Sequence, residues 1–283
     1  MKPITFIAIL LLAATSVVAG VYCRYSRAGI TYYGRVDGQK IHELTDAPWH
    51  GGTETGVALD LSEVNLLHPS EPQVIIGCSG SYKEAWDGRT PFKTVRCFFK
   101  PPTSAGSPGE VIDLPAALDA IKVETELVIV IGSEVKDAEP EQAIKAIFGY
   151  TAGNDIVGDV ESYHKIAGEP PDQEETLLPT MLKTGDNFAI FGPYIYTGVD
   201  WRDRTRRLVV QNGSTGKYVE YEHTTSNLVY PPEKIVSDLS KILTLRPGDI
   251  IFTGTTAAPI AVAGDTVTVS VQGLGELMNV VVE

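Results

Sequence analysis

The chain has 283 residues, 43% of them hydrophobic and 21% charged, with a formal net charge of −13. That composition builds a packed core and excludes a disordered chain, and the length suits one large β-rich domain with a small appendage. A nucleic-acid partner is excluded for want of a basic stripe: the densest cationic cluster, Arg202, Arg204, Arg206 and Arg207, is short and contains Asp203.

The first segment, ITFIAILLLAATSVVAG after Lys2, is not core. Its apolar run has the length of a signal-peptide core and falls short of the ~20 residues of a comfortable membrane-spanning helix. Val17 and Ala19 stand where a signal peptidase wants small residues. Residues 1–20 are therefore expected to be a cleaved signal or an uncleaved membrane anchor, which places the protein in the secretory pathway or on a membrane. Residues 21–45 alternate polar and apolar around turns at Ala28-Gly29 and Asp37-Gly38, predicting a small antiparallel meander, and residues 46–70 lead through a linker to Pro69 and Pro72.

A new unit opens at QVIIG, residues 73–77. SGSYKEAW then reads as a loop running into a helical turn, and VRCFFKPP as a strand stopped by Pro101 and Pro102. VETELVIVIG, residues 123–132, is a continuous apolar strand of the fully buried kind. AEPEQAIKAIFGY follows as a helix with Pro140 in its first turn and Ala143, Ile144, Ile147 and Phe148 on one face, leading into TAGNDIVGD, where Gly153 permits a tight turn. Residues 165–180 have lid-like composition. Short strands and turns then run to the C-terminus, interrupted by a second amphipathic helix within residues 231–245. Many short strands and few helices give a β-rich α+β fold. Three cysteines remain, Cys23, Cys78 and Cys97. They read either as small buried hydrophobes or, in an oxidising compartment, as one Cys78–Cys97 disulfide and a free thiol.

Glu124 and Glu126 begin that buried strand. Side chains at i and i+2 share a face, so two carboxylates ~7 Å apart point the same way. Either they lie at an exposed strand end in water, or a cation relieves their repulsion. Oxygen-only ligands suit a hard ion: Mg2+, with Mn2+ or Ca2+ as alternatives. Asp155 is the third ligand of that reading.

The succession ETELVIVIG, FGYTAGND, KTGDNFAIFGP, LRPGDIIFTGT and GDTVTVSVQGLGELMNVV resembles the fumarylacetoacetate hydrolase family over residues 71–283, and residues 21–45 resemble the small N-terminal domain that its members often carry. The family's usual start falls near Val21, which makes the first twenty residues an addition. The resemblance implies mixed, rolled sheets, a homodimer, and a divalent metal on Glu124, Glu126 and Asp155 that a 2-oxo or β-diketo substrate chelates, so that an enolate is stabilised as a C–C bond breaks or a proton moves. It also implies a catalytic Lys183, and substrate contacts at Tyr82, Asp186, Gly254 and Thr255.

Three departures stand out. The family's lid histidine falls at Ala85, leaving Glu84 as the nearby base and His164 as a substitute of remote position. The family's arginine and glutamine after the ligand aspartate are replaced by Asp159 and Glu161, and its G-T-P-x-G end reads GTTAAP. The expectation is a metal-dependent hydrolase of this family. The alternatives are an isomerase or decarboxylase on the same centre, which needs no activated water, and a metal-holding protein without catalysis.

Overall fold

The computed structural model describes residues 19–162 and 181–283. Strands β1 (Gly20–Arg27), β2 (Ile30–Asp37), β3 (Lys40–Leu44) and β4 (Glu54–Asp60) form the expected antiparallel meander, with β5 (Asn65–Leu67) paired to β1. There follow β6 (Ile75–Ser79), β7 (Arg96–Lys100), β8 (Ala105–Gly106), β9 (Val111–Asp113), β10 (Ile121–Lys122), β11 (Thr125–Ile131), helix α1 (Pro140–Ala146), β12 (Ile147–Asp155) and β13 (Val157–Gly158). The last part holds β14 (Ala189–Thr197), β15 (Thr205–Asn212), β16 (Lys217–Thr224), helix α2 (Pro232–Ser240), β17 (Ile250–Phe252), β18 (Ile260–Ala261), β19 (Thr266–Val271) and β20 (Glu276–Val282). Among the described residues no helix is long and apolar enough to cross a membrane. The segment expected to be a signal or anchor lies outside them, except for Ala19 and Gly20, and so does His164.

One twelve-stranded sheet runs β4-β3-β2-β1-β14-β12-β11-β17-β6-β7, with β5 and β8 pairing off that path. A five-stranded sheet, β16-β15-β19-β20-β9, and a three-stranded one, β13-β10-β18, complete the fold. The N-terminal meander joins the large sheet through β1, whose Val21 and Tyr22 pair with Tyr196 and Ile195 of β14. This is the β-rich, mixed-sheet architecture that the strand pattern predicts.

At the centre lies β11, buried along its whole length. Its alternation sorts Leu127, Ile129 and Ile131 into the main core, and Val128 and Val130 into a second cluster with Phe191 and Phe252. Two expectations change here. Helix α1 ends at Ala146, and Ile147 and Phe148 already belong to β12. Gly153 sits in no turn: it lies inside β12, and a Cβ there would come within 2.5 Å of Val128 Cγ2 and 2.6 Å of Phe252 Cε1. The glycine makes room for the neighbouring core. Cys78 and Cys97 are cross-strand partners on β6 and β7 with sulfurs 3.4 Å apart, and both are free thiols, as is Cys23.

Candidate metal centre and active site

The register of β11 against β12 assembles the acidic cluster. Thr125 pairs with Asn154 and Glu126 with Gly153, which puts Asp155 across from Glu124. Asn154 fixes the corner, its side-chain oxygen accepting from the Glu124 N–H at 2.9 Å, while the Asp155 N–H donates to the Glu124 carbonyl at 3.1 Å. One carboxylate oxygen from each of Glu124, Glu126 and Asp155 then lies within 4.8 Å of the others. Glu126 and Asp155 are fully buried, and Glu124 reaches the mouth of a cavity of about 270 Å³ lined by Cys78, Ser79, Gly80, Phe98, Glu124, Lys183 and Thr255.

Two lysines enter this cluster. Lys183 donates to Asp155 Oδ2 at 2.8 Å and to Glu124 Oε2 at 3.1 Å, with its ammonium 5.0 Å from the centre of the Phe98 ring. Lys100, which the sequence reading passed over, is fully buried: its Nζ lies 2.6 Å from Asp155 Oδ1 and donates to the carbonyls of Ile156 and Phe188. Its ammonium is engaged on all three in holding Asp155 and the strand ends beside it. The one signal for it is a cation that ends the apolar run Cys97-Phe98-Phe99.

The balance of charge is uneven. Burial, with Asp155 adding to it and Lys183 opposing, raises the Glu124 carboxyl to about 7. Burial and the two neighbouring carboxylates push Glu126 well above the usual carboxylate range. Burial alone would lower Lys183, but Asp155 and Glu124 outweigh it and hold the ammonium above its ordinary value. Lys100 is lowered by burial, with Asp155 only partly offsetting that. Glu126 Oε2 accepts the Gly254 N–H, while Oε1 is buried with no partner. A buried carboxylate oxygen without a donor is costly. Three converging carboxylates and one orphaned oxygen therefore fit a hard divalent cation, held by Glu124, Glu126 and Asp155.

The remaining predicted residues divide. Gly254 follows β17 at φ +100°, a conformation that favours glycine, and a Cβ there would stand 3.1 Å from the Cys78 carbonyl. Thr255 lines the cavity, its hydroxyl donating to the carbonyls of Ala257 at 3.0 Å and Thr125 at 3.3 Å. Tyr82 is fully buried beneath the guanidinium of Arg206, 4.0 Å from its ring centre. Glu84 is set apart, exposed on a short 3-10 turn, where it accepts from Asn227 at 2.6 Å. Asp186 is exposed in the turn before β14. Asp159, one of the acids in place of the family's cationic pair, accepts from the Ser162 N–H and hydroxyl as a local cap. Among the described residues no histidine lines the cavity.

Comparison with known proteins agrees with this architecture. Residues 77–282 match the model of the fumarylacetoacetate (FAA) hydrolase C-terminal domain, and residues 22–69 match that of the Rv2993c-like N-terminal domain. Protein Rv2993c of Mycobacterium tuberculosis is 35% identical over 248 residues, 85% of this chain and 87% of that protein. Two solved structures superpose over 93% of this chain. The 2-hydroxyhepta-2,4-diene-1,7-dioate isomerase of Mycobacterium marinum does so at 30% identity, TM-score 0.77 and 98% of its own length. The 5-carboxymethyl-2-hydroxymuconate delta-isomerase of Mycobacterium smegmatis does so at 30% identity, TM-score 0.76 and 99% of its own length. With its acidic triad, its sheet order and the match over most of its length, the chain belongs to the fumarylacetoacetate hydrolase family.

Proposed function

We infer that this protein is a divalent-metal-dependent enzyme acting on a small 2-oxo or β-dicarbonyl acid, and that its reaction is a proton shift between enol and keto forms. The observation that carries this reading is the pairing of a partly unsatisfied carboxylate triad with a lysine held charged at the cavity mouth. A divalent cation bound there supplies Lewis acidity toward an enolate. The chain's own residues supply the rest. Lys183 presents an N–H donor to negative charge developing on substrate. Glu124, raised to about 7 in the metal-free protein, gives up its proton when the cation binds. Thr255, at the cavity wall, bounds the space in which the substrate sits.

Hydrolytic C–C cleavage, the first expectation, is the second reading. It needs a base for water, and the described residues around the cavity offer no imidazole. The two isomerases that match over nearly the whole chain favour the proton shift.

The test is to mix Mn2+-loaded protein with a 2-hydroxy-2,4-dienedioate in deuterated water. Isomerisation changes the ultraviolet spectrum and places one deuterium on carbon, with no fragment formed. Two smaller products with one water added identify a hydrolase. No change with this or any 2-oxo or β-diketo acid overturns the enzyme reading.

A further inference from the structure

Arg206, on β15, is fully buried, and among the described residues no carboxylate oxygen lies within the 4.0 Å of an ion pair with it. Its neighbours on the same face of the strand, Leu208 and Val210, are core residues. A guanidinium in that row without a counter-charge is unfavourable unless its donors are used, and here both Nη atoms donate while Nε is buried with no partner. Its side-chain hydrogen bonds and ring contact all fall on or beside the site just described. Nη1 donates to the Thr125 carbonyl at 2.9 Å and to the Gly254 carbonyl at 3.4 Å, Nη2 donates to the Thr256 hydroxyl at 3.4 Å, and the plane covers Tyr82.

The reason for a guanidinium here lies in the sheet. Strands β11 and β17 pair from Val128 to Val130, and the Thr253 N–H still donates to the Leu127 carbonyl at 3.1 Å. The next carbonyl on that edge is Thr125, between the two glutamates. There the strands part to open the site, and the chain at Gly254 turns away so that its N–H reaches Glu126. The Thr125 carbonyl accepts instead from Arg206 and, at 3.3 Å, from the Thr255 hydroxyl. A rigid fork of donors bridges the parted strands in a way that a point-like ammonium does not.

We propose that Arg206 is a positioning residue: it clamps the glutamate-bearing strand to the 254–256 loop and to the Tyr82 ring, so that Glu126 and Thr255 are presented together. It is fully buried and does not line the cavity, so it acts through these groups and does not touch substrate. The inference rests on the metal reading of the triad for its consequence, but the clamp itself does not.

The experiment compares Arg206→Lys and Arg206→Met with the unaltered full chain and with Arg207→Lys, a neighbour whose ion pair with Glu220 lies at the surface. Hydrogen exchange of the metal-free proteins is followed by peptide, and Mn2+ affinity is measured by calorimetry. In both Arg206 variants, amide exchange over residues 253–257 is expected to rise about tenfold, with β19 and β20 unchanged. Mn2+ affinity should fall about 10- to 100-fold at unchanged melting temperature, and Arg207→Lys should do neither. Unchanged exchange in the loop, an equal rise throughout β15, β16 and β19, or loss of the fold in both variants would each overturn the proposal. Should the unaltered protein bind no Mn2+, the metal reading fails and the exchange result alone decides the clamp.

Discussion

Among the described residues, buried carboxylates meet lysines in two knots, and the two behave in opposite ways. Asp265, at the turn before β19, accepts from Lys217, from the Asn212 side chain at 3.0 Å and from the Val262 N–H at 3.0 Å. Although burial opposes it, this satisfied set holds the carboxyl below its usual range. At the other knot, three carboxylates share two lysines, one oxygen of Glu126 has no donor, and Glu124 and Glu126 are both raised. The first arrangement is complete within the chain and ties two turns together. The second is electrostatically unfinished, and burial alone does not tell them apart. The number of donors per carboxylate oxygen does.

The largest expected effect separates the two knots directly. Glu126→Gln should weaken Mn2+ binding by at least about 100-fold, since even groups one step removed from a metal ligand are worth about 10- to 100-fold. The same change should leave the metal-free protein no less stable, because it removes a raised, partly unsatisfied acid. Asp265→Asn should do the reverse, costing about 1–3 kcal/mol in denaturant unfolding with Mn2+ affinity intact. Calorimetry and urea titration on both variants check the contrast, and equal losses of stability would erase it.

Lys183→Met comes next. Loss of the donor at the cavity mouth should lower turnover by about 100-fold or more. Mn2+ affinity should hold or rise, because the ammonium that shares Glu124 and Asp155 is gone. Steady-state kinetics beside metal titration reads both. A fall in metal affinity matching the fall in rate would make Lys183 a support for the ligands alone.

The pH dependence has opposite sign at the two knots. Glu124 titrates at 4.5 when exposed and at about 7 in the fold, so the folded, metal-free protein binds its proton more tightly. That contribution to stability is complete below pH 4.5 and is lost as pH rises to about 7. Over the same interval Mn2+ displaces the proton, so affinity should climb at least about tenfold per pH unit, and more steeply where Glu126, also raised, gives up a second proton. Asp265 is lowered, so its contribution is present above its ordinary value of 3.8 and is lost as pH falls through the folded value. A metal affinity flat from pH 5 to 7 would remove Glu124 from the ligand set.

The acidic triad was legible in the sequence because a strand's two-residue period puts Glu124 and Glu126 on one face, and the helix that follows returns the chain antiparallel. That return offers Asp155 as the third ligand, whereas the resemblance to a family supplied Lys183, which lies 28 positions further on. Lys100 and Arg206 were not legible. Each comes from a strand that is remote in sequence, and each owes its meaning to acceptors that appear only once the sheets are paired: the Ile156 and Phe188 carbonyls for one, the Thr125 and Gly254 carbonyls for the other. Gly153 was misjudged for a similar reason. A glycine beside Asn and Asp reads as a turn, and here it answers to the Val128 and Phe252 side chains across the sheet.

The smallest expected effect concerns the lid, where the comparison moves from two buried knots to one buried and one exposed acid. Glu84 stands where sequence reasoning sought a base, but its carboxylate is exposed and accepts from Asn227. Water screens such a group, and the solvent around it competes for any proton it would take. Glu84→Gln keeps the acceptor oxygen for Asn227 and removes only the charge, so turnover should change by less than about threefold and stability by less than about 0.5 kcal/mol. Tyr82→Phe, two residues away and buried under Arg206, should change more, because that ring belongs to the clamped side of the site. A hundredfold loss in Glu84→Gln with Tyr82→Phe unaffected would reverse this order. The exposed turn would then have to close over the cavity during turnover and carry Glu84 to the reacting atoms.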